Sequence, residues 1–299
     1  MPFHLQHSDA SVERALQRIA TSQIDAALAE IADPALDDQT RVHQLRKRAK
    51  KLRGLIRLVR PAFADYRAEN AAFRDAASKL SSARDADVMI ATYDRLIESG
   101  VGETDQARFA PLRERLLGRK QALSGADDLA GALGDFRDAL RAARTRVAHW
   151  TLDREGFDAV EGGLSRSYRS GRKALKAAAH NATPEHLHEW RKRVKDHWYH
   201  ARLLRGIAPE FLDARRKAAR HLGEMLGDLH DLAVLRAAAR AEAGCFAGAK
   251  DLNAFLALID DRAAVLETEA FALGHRLFAD KPSALRKRWA EYWKAWREV

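Results

Sequence analysis

The sequence predicts an all-α protein, and three observations support this prediction. Ala, Leu, Arg and Glu dominate the chain, strand-like alternation of apolar and polar residues is scarce, and only seven prolines interrupt 299 residues. Apolar residues make up 46% of the chain, which is enough for a hydrophobic core, and the charged residues are mixed in sign. We therefore expect packed helices, in one large domain or two of ordinary size.

Helix breaks and caps divide the first half of the chain into six predicted helices. Asp33-Pro34 ends the first helix and Pro61 ends the second, because proline cannot continue a helix. Ser82, with Asp85 three residues later, is typical of a helix N-terminus. The predicted helices cover residues 8–31, 38–60, 62–80, 82–98, 111–122 and 127–149.

The second half is expected to hold six more helices, beginning after a boundary near residues 150–153. Thr183 caps the second of these, and Pro184 suits its first position, where a backbone N–H is not needed. The predicted helices cover residues 153–180, 184–208, 209–226, 228–243 and 250–275, with a last one after Pro282. No low-complexity linker separates the halves, so we expect them to pack together.

The second predicted helix is strongly basic on one side. Residues 41–60 contain nine Lys or Arg residues and no Asp or Glu. At about 100° per residue, the apolar side chains, such as Leu45 and Leu52, fall opposite the cationic ones. We call the cationic side the first stripe: it consists of His43, Arg46, Lys47, Lys50, Arg53 and Arg57. It spans about 21 Å along the helix, which suits a linear polyanion better than one small anion.

A second basic helix repeats this pattern 145 residues later. The second stripe is formed by His188, Arg191, Lys192, Lys195 and Arg202, which match His43, Arg46, Lys47, Lys50 and Arg57. Trp190 and Val194 take apolar positions. Tyr199 stands where the first helix has Gly54, and we keep it among the candidate ligands. His197 falls on the apolar side, where we expect a buried, hydrogen-bonded residue.

A further correspondence follows each basic helix. Residues 80–89 resemble residues 226–235 at an offset of 146, so that Arg84-Asp85 matches His230-Asp231. An Asp in a first helical turn stabilises the helix end or orients a basic side chain toward a ligand, and both interpretations stay open. Arg74 matches Arg220 at the same offset. We predict an internal duplication, with residues 1–150 and 151–299 as repeats within one domain.

The net charge of +10 is concentrated in these two segments. Residues 41–60 carry +9 and residues 186–205 carry +4, so the rest of the chain sums to −3. A solvated charged face is the usual explanation for one basic helix, but repetition in register favours a polyanionic partner. The single cysteine, Cys245, excludes an internal disulfide, and neither a membrane span nor a secretory signal is evident. We expect a cytoplasmic protein.

These motifs resemble the CHAD family, the conserved histidine α-helical domain. The resemblance rests on two His-x-x-Arg-Lys-x-x-Lys runs, each followed about forty residues later by an Arg-Asp or His-Asp element, and it covers nearly the whole chain. The run Tyr168-Arg169-Ser170-Gly171-Arg172-Lys173 also matches the family pattern. The resemblance implies a stand-alone CHAD protein with two helical bundles related by a pseudo-twofold axis. It also implies that the basic helices line a central pore that binds inorganic polyphosphate, with association to polyphosphate granules.

The candidate polyphosphate ligands are basic residues of both halves, with one tyrosine. They are His43, Arg46, Lys47, Lys50, Arg53, Arg57, Arg74, Arg84, Arg169, Arg172, Lys173, His188, Arg191, Lys192, Lys195, Tyr199, Arg202, Arg220 and His230. Arg and Lys suit phosphate because they supply a planar fork of donors and a mobile point charge. His43 and His188 either donate to phosphate oxygens or hold the helix start, and both roles remain open.

Two other functions compete with polyphosphate binding. A basic nucleic-acid binder is one, but no helix-turn-helix, zinc or RNA-recognition motif is evident, and the stripes hold few aromatic residues. The C-terminal cluster of Trp289, Tyr292, Trp293 and Trp296 has the spacing of a packing face. A metal-dependent phosphoanhydride hydrolase is the other, but no Gly-rich phosphate loop or paired carboxylates stand out. We expect no catalytic residue, metal, cofactor or membrane partner.

Overall fold

A computed structural model describes residues 3–80, 84–100, 103–123 and 129–298. Next to the gaps, the description is limited to the backbone for residues 84–86, 99–100, 103–105 and 122–123. The described residues form helices and no strand, so the all-α prediction is confirmed. None of the helices in these ranges is both long enough and apolar enough to cross a membrane.

The described helices follow one another in chain order with short connections. They are α1 Val12–Ala32, α2 Asp38–Leu58, α3 Tyr66–Ser78, α4 Arg84–Gly100, α5 Glu103–Leu123, α6 Leu129–Val147, α7 Asp158–His180, α8 Pro184–Leu203, α9 Pro209–Ala241, α10 Ala249–Leu277 and α11 Pro282–Glu298. Two short 3₁₀ helices, Arg205–Ile207 and Ala243–Cys245, connect the last long helices. The predicted basic helices are therefore α2 and α8.

Local capping explains where the basic helices begin. The backbone N–H of Thr40 donates to the Asp37 side chain at 2.8 Å at the start of α2. At the start of α8, the N–H of His186 donates to the Thr183 hydroxyl at 3.2 Å, and Pro184 is the first helical residue. The cap predicted at Thr183 is confirmed, whereas the one predicted at Ser82 lies outside the described residues.

Several predicted helix boundaries were wrong; for example, α7 begins at Asp158 instead of residue 153, and α8 ends at Leu203 instead of residue 208. The predicted helices 209–226 and 228–243 are one continuous helix, α9, in which Gly227 is buried. A glycine costs a helix only about 1 kcal/mol, and here packing offsets that cost: α9 lies against α8 with the Arg191 side chain beside Gly227. The helix predicted at 111–122 begins earlier, at Glu103, and contains Pro111.

The apolar sides of the basic helices form the centre of the core. Leu45 and Leu52 of α2 and Trp190 and Val194 of α8 are inaccessible to solvent. Helix α1 packs on α2 and α7 packs on α8, while α6 and α11 cover α1 and α7. The C-terminal aromatic cluster packs as expected, with Trp289 buried. Hydrophobic burial therefore anchors each basic helix by its apolar side.

The two basic helices contact each other directly at a glycine. A Cβ atom placed on Gly54 would stand 2.8 Å from Cγ of Tyr199, closer than real side chains approach. Glycine is therefore required at this position for α2 and α8 to cross at the observed distance. The contact joins the first half of the chain to the second.

Two histidines are buried near this crossing. His197 and His200 are both inaccessible to solvent. His197 Nε2 accepts a hydrogen bond from Arg215 Nε at 2.8 Å, which confirms the prediction of a buried, hydrogen-bonded residue. Burial, and then the charges of Arg57 and Arg60, lower the pKa of His200 to about 3. Burial likewise holds the pKa of His197 well below 6.5. Both side chains are therefore neutral in the folded protein.

These histidines should make the protein sensitive to acid. In the unfolded chain each histidine takes up a proton near pH 6.5, whereas the folded protein keeps both neutral. The contribution of these histidines to the free energy of unfolding is therefore fully present above pH 6.5 and is lost progressively below it. The loss for His200 is about 1.4 kcal/mol per pH unit, or about 2 kcal/mol at pH 5. Between pH 7.5 and pH 5, the free energy of unfolding of the wild type, measured with urea, should therefore fall by this amount more than that of His200→Leu. His221→Leu, at an exposed histidine, is the control; a His200→Leu profile parallel to the wild type would contradict the expectation.

Candidate anion-binding site

The second stripe lies along α9. The rings of His188 and His230 are 4.5 Å apart between centroids. Further along α8, Arg191 lies beside Gly227: a Cβ on that glycine would stand 3.2 Å from Arg191 Nε. Residues three and four apart share a helix face, so one face of α9 carries His230 and two glycines under the stripe. The small residues give the long cationic side chains room between the helices.

Lys195 continues the same row. A Cβ on Gly223 would stand 3.2 Å from Lys195 Cε, so Lys195 lies over the second glycine of α9. Burial, and then the charge of Arg191, lower the pKa of Lys195. Two cations of the stripe therefore lie close enough to repel each other, in a setting only partly screened by water.

His188 is surrounded by cationic side chains. Its pKa is lowered by burial first and then by Lys192, His230 and Arg191, with Glu189 acting in the opposite direction. His188 Nδ1 and Arg191 Nε are buried and have no hydrogen-bond partner among the described residues. A bound anion would supply both the missing acceptor and the opposing charge.

Acidic residues pair with cations in and beside the second stripe. Lys192 Nζ lies 3.8 Å from a carboxylate oxygen of Glu189, and Arg220 Nε donates to Glu224 at 2.8 Å. Burial raises the pKa of Asp231, and the charge of Arg191 acts against that shift. The Asp of the predicted His-Asp element therefore lies within electrostatic reach of the stripe.

The first stripe is arranged along α3 and the segment after it. Arg46 Nη1 lies 3.4 Å from the carbonyl oxygen of Leu80, the residue that matches Leu226 of α9 in the sequence comparison. Arg53 Nε donates to Asn70 at 3.1 Å. His43 and Arg46 are half-buried, whereas Lys47 and Lys50 are exposed. Arg84, the predicted partner of this stripe, has its side chain outside the described residues.

The ends of both stripes contribute to the contact between α2 and α8. Arg57 Nη1 lies 2.5 Å from Oδ1 of Asp196, a residue that is 7% exposed. Arg202 lies over the rings of Phe3 and Trp198, at 5.2 and 5.7 Å. Tyr199 is buried against Gly54. The structure thus places Arg57 and Tyr199 in contacts between α2 and α8. Arg202 lies against Phe3 of the N-terminal segment and shares the Trp198 ring with Lys195, the last member of the row formed by His188, Arg191 and Lys195.

The remaining candidates are scattered. Arg172 donates to three carbonyl oxygens after α10, those of Phe278, Ala279 and Asp280, and so closes the end of that helix. Arg74 pairs with Asp75 at 2.7 Å on the exposed surface. Lys173 is exposed. Arg169 lines a separate cavity formed by α7 and α11. The structure therefore does not bring Arg169 or Arg172 to either stripe. Arg74 lies within electrostatic reach of the first stripe: the pKa of Arg53, lowered mainly by burial and then by Arg57, is lowered further by the charge of Arg74.

Sequence reasoning missed a second junction between the halves. Helix α4 packs on α9, and Arg95 of α4 lies 3.7 Å from Asp228, close to the His230 end of the second stripe. The aromatic rings of Tyr93 and Phe255 stack at 5.8 Å across the same junction. Helical periodicity marks Tyr93 and Phe255 as core residues, but no signal in the sequence pairs them across 162 positions.

No group of three or more His, Cys, Asp or Glu side chains that could hold a metal ion occurs in the described part of the chain. His230 and Asp231 thus have no further metal-binding side chains grouped with them there. What the described site offers is an array of donors and positive charges.

Comparison with known proteins identifies a family. The CHAD domain model matches residues 18–240, a range that includes both stripes, α2 and α8, and α9 almost to its end. No curated protein matches the chain. Since the family model matches well over half of the sequence, this chain belongs to the CHAD domain family.

Proposed function

We propose that this protein binds inorganic polyphosphate and does not turn it over. CHAD domains are known to bind polyphosphate. For this chain the supporting observation is the row of His188, Arg191 and Lys195 along α9, in which buried nitrogens of the first two lack partners among the described residues. Polyphosphate presents closely spaced negative charges with many acceptor oxygens, which is what such a row can bind.

We also propose that the chain is an internal duplication whose repeats, 1–150 and 151–299, meet about a pseudo-twofold axis. Gly54 and Tyr199, which contact each other, hold matching positions at the 145-residue offset. At a twofold contact, each residue pair has a counterpart with the partners exchanged. The counterpart of Arg57 with Asp196 is Arg202 with Lys51.

Arg202 and Lys51 are indeed neighbours. Both lie over the Phe3 ring, at 5.2 and 5.6 Å. Burial, then the charges of Arg48 and Arg202, lower the pKa of Lys51 to about 8. These reciprocal contacts support the proposed axis. We further propose that the two stripes line a central pore around it.

Nucleic acid is a weaker candidate ligand. Single-stranded nucleic acids are usually bound by exposed aromatic platforms beside the positive charges. Trp190 and Tyr199 are buried, and Trp198 is occupied by Lys195 and Arg202, which lie over its ring. The stripes thus favour a ligand that needs charge and hydrogen bonds but no stacking surface.

Competition should separate these ligands. We expect long-chain polyphosphate to displace a labelled polyphosphate probe at a far lower concentration of phosphate groups than duplex DNA or single-stranded RNA, at the same ionic strength. We further expect no phosphate release during incubation with Mg²⁺ or Mn²⁺. Two results would contradict the proposal. If nucleic acid competes as well as polyphosphate per charge, the protein is a general polyanion binder; if it releases phosphate steadily and loses this activity when a carboxylate is replaced, it is an enzyme.

Removing charges from the stripes should abolish most of the binding. The quadruple variant Arg46→Ala, Lys50→Ala, Arg191→Ala and Lys195→Ala should lose at least about 100-fold in affinity for long polyphosphate, because hydrogen bonds to charged groups contribute about 1.5–3 kcal/mol each. Titration calorimetry measures the loss, and circular dichroism should show that the helices persist.

A matched control removes the same charge elsewhere. Arg137, Arg141, Lys287 and Lys294 are exposed and lie outside the stripes, so their replacement by alanine should change affinity by less than about threefold. An equal loss in both quadruple variants would mean that binding depends on net charge alone and would refute the assigned site.

Binding should also depend on pH through His188. The pKa of free His188 is lowered, and a polyanion would raise it again, so binding takes up a proton and is tighter at pH 6 than at pH 8. A shift of one pKa unit corresponds to about a tenfold change in affinity. His188→Asn should flatten the profile in calorimetric titrations with long chains, whereas the exposed His221→Asn should not. A wild-type profile that is already flat would rule out this role.

A further inference from the structure

A cationic cavity lies where the end of α2 meets α7 and α11, away from both stripes. Its volume is about 390 Å³. The side chains that define its chemistry are Glu161, Ser165, Arg166, Arg169, Ser283 and Arg286. None of them belongs to either stripe. The family resemblance marked Arg169 alone among these residues, and the cavity shows what surrounds it.

Close packing of α7 on the end of α2 creates this cavity. A Cβ on Gly163 would overlap the carbonyl oxygen of Leu58, and one on Gly162 would stand 2.9 Å from Cγ of Pro61. These two glycines let α7 approach the C-terminus of α2. Ser165, Arg166 and Arg169 then follow on the same side of α7, within two turns of the contact.

Helix α11 supplies the opposite wall. It begins at Pro282, so Ser283 and Arg286 project from its first turns into the cavity. The N-terminus of a helix carries a partial positive charge, which adds to the charge of the arginines. Arg286 Nη1 lies 3.0 Å from a carboxylate oxygen of Glu161, and this is the cavity's one ion pair among the described residues.

The other two arginines have no acidic partner. Arg166 and Arg169 are exposed to solvent and form no ion pair among the described residues. A further cation lies close by: burial, and then the charge of Arg166, lower the pKa of Arg60. Arg60 Nε and Ser165 Oγ are buried without hydrogen-bond partners in the described part of the chain. Ser165 lines the cavity and Arg60 lies beside it, so the cavity has excess positive charge and an unused hydroxyl donor.

We propose that this cavity binds a phosphate group. Arginine forks recognise phosphate oxygens bidentately, and serine hydroxyls can donate to the remaining oxygens. The phosphate is either a free anion or one unit of a phosphate chain, since both present the same oxygens. This proposal rests on α7 and α11 and does not depend on the stripes.

Pyrophosphate is a suitable probe. In calorimetric titrations of the full chain at constant ionic strength, the Arg166→Ala/Arg169→Ala variant should bind pyrophosphate at least about tenfold more weakly than the wild type. The control variant Lys176→Ala/Lys287→Ala removes two exposed cations from the same two helices, outside the cavity, and should retain wild-type affinity. Both arginines are exposed, so neither replacement is expected to disturb folding.

A stripe variant separates this site from the proposed function. Arg191→Ala/Lys195→Ala should keep pyrophosphate binding while it loses affinity for long polyphosphate. If Arg166→Ala/Arg169→Ala weakens long polyphosphate as well as pyrophosphate, the cavity holds a unit of the chain; if it weakens pyrophosphate alone, the site takes the free anion. Three results would overturn the proposal. The wild type could show no detectable pyrophosphate binding, Arg166→Ala/Arg169→Ala could bind pyrophosphate as tightly as the wild type, or the control Lys176→Ala/Lys287→Ala could lose as much affinity as that variant.

Discussion

The contact between α2 and α8 is the constraint on which the arrangement of the site depends. These helices carry the two most basic segments of the chain, and like charges oppose their approach. Gly54 allows the Tyr199 ring to pack against the α2 backbone, and the buried Asp196 carboxylate pairs with Arg57. Removing one partner of such a buried pair typically costs about 3–5 kcal/mol. Apolar packing and one carboxylate thus hold together two helices that their charges would separate.

The cost of this arrangement is visible in the electrostatics of the cationic residues. Burial and neighbouring cations lower the pKa values of His188, Lys195 and Arg53. Each of these groups therefore costs stability in its charged form. A ligand of opposite charge would remove that cost, and the removal would contribute to its affinity. The same reasoning applies to the cavity at α7 and α11, where Arg166 and Arg60 are close.

The sequence predicted the helices well and their tertiary contacts less well. Periodicity identified the buried side of α2, including Leu45 and Leu52, because burial of a helix face depends on spacing alone. It failed at Gly227, where packing against Arg191 outweighed the weak helix propensity of glycine. The 145-residue repeat grouped Arg202 with the other cations, yet Arg202 lies over Phe3, a residue nearly two hundred positions away. Spacing within a helix, or between two similar helices, carries no information about the residues packed against them.

From the sequence by itself came the all-helical class, the two cationic stripes and their register, and the membership of the CHAD family, since these follow from residue spacing along the chain. Tertiary structure alone decided which cations are available. It assigned Arg57 to a buried carboxylate, Arg172 to the end of α10, and Arg169 to a cavity with Arg166 and Arg286. The reason is physical: the partner of a charged side chain is whichever group packing brings within a few ångströms, and residues distant in the chain supply most of those groups.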